Sequence, residues 1–548
     1  MKYLNTLACL FTVALLTSCN EDFLDRPPLS QIVDANFYQN ADQVLASTAP
    51  LYNQVWFAYN DKASHGLGDA RGGVLTSGSY QLENILFNTT PTTGENVSAW
   101  RSFYNAVGQA NTVIKNVNLY ASENVPEDIK QHAIAEARFM RGLAYSYLVQ
   151  NWGAVPIIVD NTTLLQDTTI TRNTVESVWE FVIRDMRFAT EHLPGAPVQP
   201  GRLDRWAAEG MLAKMYLTRA GISGTRNQTD LDSAAYFAKR VIDNSGASLL
   251  PNYEDLFLTR NNNNAESLFA LQWTYNGDWG TQNSVQAFLA YSSEITGFAD
   301  GWGGDIGASY YMLEQYEGLM ENGVTNDKRR KATFMFPGDH YAYIHQRLPG
   351  SDATQELEVP INTAQVEGQD VRGNTRAWVK KYVVGRPEDN DGRVMQQRTE
   401  INTYMLRLAD VYLIYAEAVL DQNPAEALKY YNAVHQRAGL EPKESITWDD
   451  IFKERLLEFA MEGQLWYDFV RLHYYDPAKA YQLLGDQERG FFVVEPDQLE
   501  DPTAWTITLT ESRKVNVTSG NFELPIPAIE LSTAPNLRKP PVPYDFNQ

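Results

Sequence analysis

The chain has 548 residues, of which 44% are hydrophobic, and this length is sufficient for several domains. Its formal net charge of −23 argues against nucleic-acid binding, because phosphates need a basic surface, and against electrostatic attachment to anionic lipids. The two cysteines, Cys9 and Cys19, both lie in the first 19 residues, which excludes a disulfide framework in the rest of the chain. Aromatic residues are abundant, with 12 Trp, 30 Tyr and 23 Phe, and they suit either a packed core or sugar-stacking surfaces.

Residues 1–18 have the pattern of a secretory signal peptide. A positive charge at Lys2 precedes the apolar run LACLFTVALL, and the small residues Thr17 and Ser18 follow it. A membrane-spanning helix needs about 20 apolar residues, so this run is too short to span. The alternative is a buried N-terminal helix, which is disfavoured because no polar residues line one face of the run.

The segment that follows resembles the lipobox of bacterial lipoproteins. In the motif LTSC, residues 16–19, the cysteine stands directly after the small residues at which signal peptides are cut. The resemblance implies that Cys9 is discarded, that Cys19 becomes the lipidated first residue, and that residues 19–40 form a tether. The acidic residues after Cys19 resemble an export signal of Bacteroidetes-type surface lipoproteins. We therefore expect a lipid-anchored protein of the outer membrane that faces the cell exterior.

Four amphipathic stretches predict two pairs of helices in the N-terminal half. The first pair lies at 95–117 and 126–152, where Pro126 suits a first-turn position. The second pair lies at 174–193 and 204–221, and the turn-rich linker PGAPVQPGR separates its members. Helices joined by short connections favour antiparallel hairpins.

The middle of the chain, about residues 251–400, is rich in Gly, Asn, Asp and aromatic residues and predicts loops. Strands are predicted at 266–275, where apolar residues alternate, and at 378–385. Loops carried by a regular scaffold are where binding residues usually lie. We therefore expect binding residues among these loops.

A further helical hairpin is predicted near the C-terminus. In YMLRLADVYLIYAEAVL, residues 404–420, apolar side chains from Leu406 onward share one helical stripe. Asn423 is a suitable N-cap for the second helix, Pro424 suits its first turn, and Gly439 suits its end. Serial hairpins of this kind resemble tetratricopeptide scaffolds.

Four stretches together resemble the SusD/RagB family of surface lipoproteins. They lie at 136–158 (EARFMRGLAYSYLVQNWGAVPII), 407–419 (RLADVYLIYAEAV), 454–472 (ERLLEFAMEGQLWYDFVRL) and 522–541 (FELPIPAIELSTAPNLRKPP), with a weaker fifth at 201–221. The resemblance implies a mainly α fold, in which tetratricopeptide-like helical hairpins pack against an irregular, loop-rich region with a few short strands. It also implies a single domain over 41–548, with an N-terminal half (41–250), a loop-rich middle (251–400) and C-terminal hairpins and tail (401–548).

The same resemblance implies a function. Family members capture glycans, and in some cases peptides, for a SusC-like TonB-dependent transporter, which the hairpins generally face. The expected partners are this transporter, an oligosaccharide or polysaccharide ligand, and the membrane through the lipid anchor, with no nucleic acid. A peptide-binding (RagB-like) capture protein, a surface glycoside hydrolase and a pure scaffold are the alternatives.

Three glutamates near the C-terminus raise the question of catalysis. Glu454, Glu458 and Glu462 have the i, i+4, i+8 spacing of one helix face, and Arg455 and Arg471 are their expected neutralising partners. A retaining glycosidase needs carboxyl groups about 5–5.5 Å apart that flank the scissile bond. Carboxylates stacked along one helix do not easily flank a bond. We therefore expect a buried or half-buried ion network.

Other signatures of enzymes and cofactors are absent from the sequence. It contains no HExxH, GxSxG or GxxxxGK[ST] motif. His340 and His345 are five residues apart and miss the helical spacing of a metal-binding pair. The segment EDNDGR resembles a calcium loop, but Gly392 comes too early for an EF-hand. We expect no enzyme activity, no cofactor and no metal site.

Sugar binding without catalysis needs flat aromatic faces and polar side chains that meet hydroxyl groups. In relatives, the site draws on a loop after the first helix and on loops in the middle of the chain. The side chains that these loops offer here, and that we predict as ligand contacts, are Asp69, Arg71, Tyr80, Gln81, Trp279 and Trp302. For the two tryptophans, packing is the alternative. The tryptophans in regular segments are expected to pack in the core: Trp56, Trp100, Trp273 and Trp378.

Overall fold

The computed structural model describes residues 37–164, 169–348, 350–361 and 377–547. The predicted signal peptide, Cys19 and most of the predicted tether lie outside these residues. Helices dominate and strands are short, which confirms the mainly α fold class. Within the ranges that the structure describes, no helix combines the length and the apolar composition needed to cross a membrane.

The N-terminal half is built from long helices that pack in sequence. In chain order the helices are α1 (Ala41–Ala46), α2 (Leu82–Ile85), α3 (Gly94–Tyr120), α4 (Glu127–Trp152), α5 (Val175–His192), α6 (Arg205–Arg219) and α7 (Gln228–Asn244). From α3 to α7 each helix packs against the next. Both predicted pairs are confirmed, and Pro126 is the N-cap of α4.

The middle of the chain contains short helices between loops. They are α8 (Val285–Leu289), α9 (Ser293–Thr296), α10 (Tyr310–Glu314), α11 (Leu319–Asn322) and α12 (Arg329–Thr333). The C-terminal part returns to longer helices, with α13 (Leu408–Val419), α14 (Pro424–Arg437), α15 (Trp448–Phe459), α16 (Leu465–Tyr475), α17 (Pro477–Asp486) and α18 (Ala528–Thr533). Helix α13 packs against both α7 and α14, so the C-terminal hairpin continues the N-terminal helical layer.

The strands form small antiparallel sheets. In chain order they are β1 (Leu75–Thr76), β2 (Ser267–Leu271), β3 (Gly307–Ala308), β4 (Phe334–Met335), β5 (His340–Arg347), β6 (Thr354–Glu358), β7 (Trp378–Val379), β8 (Thr403–Arg407), β9 (Phe491–Pro496) and β10 (Trp505–Glu511). One sheet has the order β1-β3-β7-β4, and the other pairs are β2 with β8, β5 with β6, and β9 with β10.

Two predicted boundaries in this region are wrong. The helix predicted from residue 404 begins at Leu408, because Leu406 lies in β8 and pairs with Phe269 of β2. The strand predicted over 378–385 ends at Val379, because Tyr382 adopts a left-handed backbone conformation with a φ of 65°. In the first case a strand precedes the helix, and in the second case a turn follows the strand, where the sequence pattern predicted one continuous element.

The caps of α14 agree with the prediction. The side chain of Asn423 accepts a hydrogen bond from the backbone N–H of Glu426 at 3.3 Å, and Pro424 occupies the first turn. Gly439 follows the helix with a φ of 91°, a conformation that glycine adopts without steric cost. The hairpin of α13 and α14 is therefore specified locally at both ends of its second helix.

One hydrophobic cluster contains buried side chains from all three parts of the chain. The tryptophans predicted to pack in the core are buried in it, as expected: Trp56, Trp100, Trp273 and Trp378. A shared core supports the proposal that residues 41–548 form one domain, because each domain normally has a core of its own.

A short π-helical segment lies between α1 and α2 in the chain and contacts both α3 and α16. It consists of Tyr59–Ala63 and His65–Ala70. A Cβ atom on Gly68 would stand 2.2 Å from the carbonyl oxygen of Gly463, so this segment packs backbone against backbone on the turn before α16. π-Helical turns are rare and frequently occur at functional sites.

Candidate functional site

Trp279 lies in a loop that is closed by a backbone hydrogen bond between Thr274 and Thr281. The backbone N–H of Thr274 donates to the carbonyl of Thr281 at 2.8 Å, and Gly280 turns the chain with a φ of 100°. The Trp279 side chain is 54% exposed. Its ring packs edge-on against Phe57, with ring centroids 5.7 Å apart. The indole is therefore supported by a second ring and open to solvent.

Trp302 lies in a second loop, which is packed on α8. The backbone N–H groups of Gly301 and Trp302 both donate to the carbonyl of Ala287, at 3.2 and 2.8 Å. Gly301 has a φ of 97°, and a Cβ there would stand 2.6 Å from the backbone of Ser292. The Trp302 side chain is 48% exposed and packs against Phe288 at a centroid distance of 5.2 Å.

Both tryptophan loops rest on the same short segment, residues 57–62. Phe57 supports the first tryptophan, as described above. The ammonium group of Lys62 lies 4.5 Å from the ring centroid of Phe288, which supports the second tryptophan. A cation over an aromatic face is attracted by the ring quadrupole. The segment therefore supports the two exposed indoles through one aromatic ring each.

The turn Met395–Arg398 joins the two loops from another direction. The backbone N–H of Gln397 donates to Oδ2 of Asp300, which belongs to the second loop, at 2.7 Å. Arg398 donates from Nη1 to the carbonyl of Gly277 in the first loop at 2.8 Å, and its guanidinium lies 5.6 Å from the indole of that loop. We call the resulting patch the aromatic surface and define it as Phe57, Lys62, Trp279, Phe288, Trp302 and Arg398.

The aromatic surface offers groups of the kind that sugar binding without catalysis needs. Two half-exposed indoles offer apolar faces on which the C–H face of a sugar ring can stack. Lys62 and Arg398 are half-buried and carry several N–H donors for hydroxyl groups. Asp61 accepts a hydrogen bond from the Ser284 hydroxyl beside Lys62, and burial raises its pKa. The surface provides stacking and hydrogen bonding together.

The ligand contacts of the two tryptophans stay a prediction, and sequence reasoning missed the residues around them: Phe57, Lys62, Phe288 and Arg398. No local signal marks these residues, because their partners lie far away in the chain. The flanking Gly and Asp residues were the signal for the tryptophans, and the structure shows why. The glycines permit the tight turns and close backbone approach that leave the indoles outside the core.

The structure contradicts direct ligand contacts for Asp69 and Arg71, because both side chains are buried. Asp69 accepts the backbone N–H of Gly463 at 3.0 Å and lies 2.9 Å from Nδ1 of His65, and burial raises its pKa. The guanidinium of Arg71 stacks 4.3 Å from a ring centroid of Trp466, and burial lowers its pKa to about 9. Both residues belong to the π-helical segment or follow it directly, and they stabilise its packing.

Gln81 lies at the rear of the aromatic surface, and Tyr80 precedes it in the chain. Gln81 is buried, so the prediction of a direct ligand contact is wrong for it too. Its Nε2 donates to the backbone carbonyl of Lys62 at 3.2 Å, which places it behind the surface. Tyr80 is half-buried, its backbone N–H donates to Oγ of Ser77 at 2.9 Å, and burial raises the pKa of its hydroxyl. A ligand contact of Tyr80 stays a prediction.

The glutamates of the C-terminal stretch form a buried ion network. Glu458 lies between three guanidinium groups: it pairs with Arg437, with Arg407 at 2.9 Å and with Arg329 at 3.4 Å. Burial alone would raise the pKa of Glu458, but these three positive charges lower it to about 2. Glu454 pairs with Arg329 at 2.6 Å. A carboxylate held ionised and enclosed by protein has no access to a glycosidic bond.

Two details of the predicted network are wrong. Glu462 does not share the helix face, because α15 ends at Phe459 and the chain turns at Met461 with a φ of 63°. It still belongs to the ion network, because it pairs with Arg407 at 2.8 Å and with Lys381 at 3.0 Å. The predicted neutralisers bind other acids: Arg455 pairs with Asp410 and Asp468, and Arg471 pairs with Glu417 and Asp468.

The chain matches two family models and several known proteins over most of its length. A model of the SusD family matches residues 259–542, and a model described as starch-binding and associating with the outer membrane matches residues 22–217. A SusD-like protein of Bacteroides ovatus is 38% identical over 98% of this chain and 97% of its own length. The starch-binding protein SusD of Bacteroides thetaiotaomicron is 23% identical over 63% of this chain and 64% of its own length.

Solved structures give the same result. A crystal structure with xylogluco-oligosaccharide is 37% identical, has a TM-score of 0.80, and is matched over 92% of this chain and 100% of its own. The relatives are named for binding and not for catalysis. The chain therefore belongs to the SusD family of carbohydrate-binding, non-catalytic proteins associated with the outer membrane, which confirms the resemblance seen in its sequence and the prediction that it is not an enzyme.

Proposed function

We propose that this chain captures oligosaccharides on the aromatic surface at the cell exterior and delivers them to a SusC-like TonB-dependent transporter. The observation that carries the capture proposal is the pair of indoles, Trp279 and Trp302, that stay about half exposed although each packs against another ring. Exposed aromatic side chains fixed by a rigid scaffold lose little conformational entropy when a ligand stacks on them. The carbohydrate-bound relative supports the same reading.

The first glycan to test is xylogluco-oligosaccharide, because a relative 37% identical to this chain is described with that ligand. Calorimetric titration of the purified chain without its signal peptide should give saturable binding, and the sugar should be recovered with its length unchanged. Plant, host and microbial glycans should be screened in parallel to define the preferred ligand. Failure to bind any of them would contradict glycan capture, and peptide binding in the same assay would support the RagB-like alternative.

The proposed anchor predicts the behaviour of a Cys19 variant. Since Cys19 is the only cysteine after the predicted signal peptide, Cys19→Ala removes the sole acceptor for the proposed lipid. The variant should be released from the membrane fraction or stay unprocessed, as judged by fractionation and mass spectrometry. Cys9→Ala is the matched control and should leave anchoring intact. A Cys19→Ala protein that still fractionates as a mature outer-membrane lipoprotein would contradict the proposal.

The proposed partnership predicts co-purification with a large β-barrel protein. The helical layer from α3 to α7, continued by α13 and α14, is the scaffold that the family resemblance assigns to the transporter-facing side. Extraction in mild detergent followed by affinity capture of this chain should recover the transporter in a stable complex. Recovery of this chain alone, under conditions that preserve other outer-membrane complexes, would count against the partnership.

A further inference from the structure

A second concave site, separate in its residues from the aromatic surface, is present in the N-terminal half. It is a cleft of about 290 Å³. Three segments enclose it: residues 197–206 before and at the start of α6, residues 245–247 after α7, and residues 263–270 leading into β2. Ligand pockets for small molecules begin at about this size. None of the residues of the aromatic surface lines the cleft.

One wall of the cleft is apolar and flat. Trp206 is half-buried, and its Nε1 donates to the carbonyl of Gly195 at 3.0 Å. Because this N–H group already has a partner, the part of the indole that faces the cleft acts as an apolar face. Pro197 and Pro200 also line the cleft. Their rings add C–H groups to this wall, and proline has no backbone N–H donor. Such a wall suits the C–H face of a sugar ring.

The cleft also contains polar groups with unused hydrogen-bonding capacity. Asp204 caps α6 by accepting the backbone N–H of Ala207 on Oδ1 at 2.8 Å, and a carboxylate can accept further hydrogen bonds. The Ser245 hydroxyl accepts the backbone N–H of Ala247 at 3.1 Å, which leaves its own O–H free to donate. An acceptor and a donor therefore lie in the same cleft as the indole.

The charges in the cleft favour a neutral ligand. Arg202 lines it, but this guanidinium is already engaged by Glu136 at 2.6 Å and by the carbonyl of Leu45 at 2.9 Å. The remaining charged group is the Asp204 carboxylate, which disfavours anions and can accept hydroxyl groups. An apolar ring, an acceptor, a donor and no free cation in the cleft match a neutral sugar unit better than an acidic one.

We propose that this cleft is a second sugar-binding site, which holds a single neutral sugar residue of a glycan. The proposal rests on the proposed function, since it assumes that glycans are the ligands of this chain. The chain runs from the cleft residue Ala270 to Trp279 in nine residues, so their Cα atoms are at most about 32 Å apart. One polysaccharide can therefore occupy both sites, and the second contact then becomes intramolecular and raises the overall affinity.

Saturation-transfer NMR with monosaccharides tests the cleft separately from the aromatic surface. D-glucose, D-xylose and D-galactose are too small to bridge the two sites. With the unmodified chain, at least one of them should receive saturation, and the signal should persist in the Trp279→Ala/Trp302→Ala variant. Ala247→Phe, which places a ring in the cleft, and Trp206→Ala, which removes the stacking face, should each abolish the signal that persists in that variant. Ser248→Phe is the matched control, because Ser248 is exposed, adjacent to the cleft and not part of its lining.

Binding to xyloglucan polysaccharide gives the second readout. In the Trp279→Ala/Trp302→Ala background, Ala247→Phe should lower the residual affinity at least about threefold further, whereas Ser248→Phe should not. Thermal melts should show that each variant is folded. The proposal is overturned if no monosaccharide receives saturation or if the signal persists in both cleft variants. Polysaccharide binding that depends on the two exposed tryptophans but not on Ala247 or Trp206 would overturn the cleft alone and leave the proposed function intact.

Discussion

Replacing Trp279 and Trp302 together with alanine should lower the affinity for the glycan at least about tenfold and leave the fold intact. Stacking between aromatic faces contributes about 0.5–1.5 kcal/mol per contact, and a sugar face on an indole is comparable. At about 1 kcal/mol per contact, the middle of that range, two contacts contribute about 2 kcal/mol, and about 1.4 kcal/mol already corresponds to a factor of ten in affinity. Because the two side chains are 54% and 48% exposed, their removal leaves most of the core packing unchanged.

Calorimetric titration with the preferred glycan, combined with thermal melts, measures both parts of this prediction. Each single variant should lose less affinity than the double variant, since each removes one stacking face. Tyr236→Ala is the matched control, because this aromatic side chain is 57% exposed on α7 and belongs to neither proposed site. Unchanged affinity in the double variant, or an equal loss in the control, would place the principal binding site elsewhere.

Glu458→Gln should destabilise the protein by about 3–5 kcal/mol, the typical cost of removing one partner of a buried ion pair. The substitution keeps the shape of the side chain but removes the negative charge that lies among Arg329, Arg407 and Arg437. Each of those three buried guanidinium groups would lose one ion pair. They would keep their remaining partners, which are Asp327 and Glu454 for Arg329, Glu266 and Glu462 for Arg407, and Glu266 for Arg437. The affinity of the folded fraction for the glycan should stay unchanged, because the residues that pair with Glu458 do not belong to the aromatic surface.

Urea unfolding followed by circular dichroism measures this loss of stability. Glu127→Gln is the matched control, because Glu127 is 71% exposed and lies 3.9 Å from Lys130, a geometry worth less than about 1 kcal/mol. A loss for Glu458→Gln no larger than that of the control would contradict the role of the network. Glycan hydrolysis by the unmodified chain that disappears in a folded Glu458→Gln protein would contradict a purely structural role.

The same residue predicts a dependence on pH. The pKa of Glu458 falls from 4.5 to about 2 in the folded protein, so the folded state favours the ionised carboxylate. The stability that this contributes is present above pH 4.5 and is lost as the pH falls through about 2. The difference in unfolding free energy between the unmodified chain and Glu458→Gln should therefore shrink over that interval.

Helices were predictable because their signals are local. Amphipathic spacing located the two N-terminal helix pairs. Asn423 and Gly439, which stand close to the two ends of α14 in the sequence, marked where that helix begins and ends. The errors arose where a distant segment decided the backbone. Leu406 has the spacing of a helix but pairs with Phe269 across β2 and β8, and no pattern within the stretch itself contains that partner.

The exposure of Trp279 and Trp302 was also indicated by the sequence, because flanking glycines permit turns that keep a large side chain outside the core. The sequence did not indicate which other residues assemble with them into the aromatic surface. Phe57, Lys62 and Arg398 reach the tryptophan loops only through contacts between distant parts of the chain. Side-chain identity alone does not encode these contacts, since many phenylalanines and arginines in this chain are equally plausible neighbours.

The sequence by itself determined the family, the helical hairpins and the two aromatic loops, because recurrent motifs, helical periodicity and turn residues act over short stretches. Only the tertiary structure decided which polar residues are exposed. Asp69, Arg71 and Gln81 have the polarity of surface residues in a glycine-rich stretch, yet all three are buried. A polar group can be buried when folding supplies its hydrogen-bond or stacking partners. For Asp69 and Arg71 these partners include Gly463 and Trp466, which lie far away in the chain. Gln81 donates to the carbonyl of Lys62, which the turn of the chain between them brings within reach.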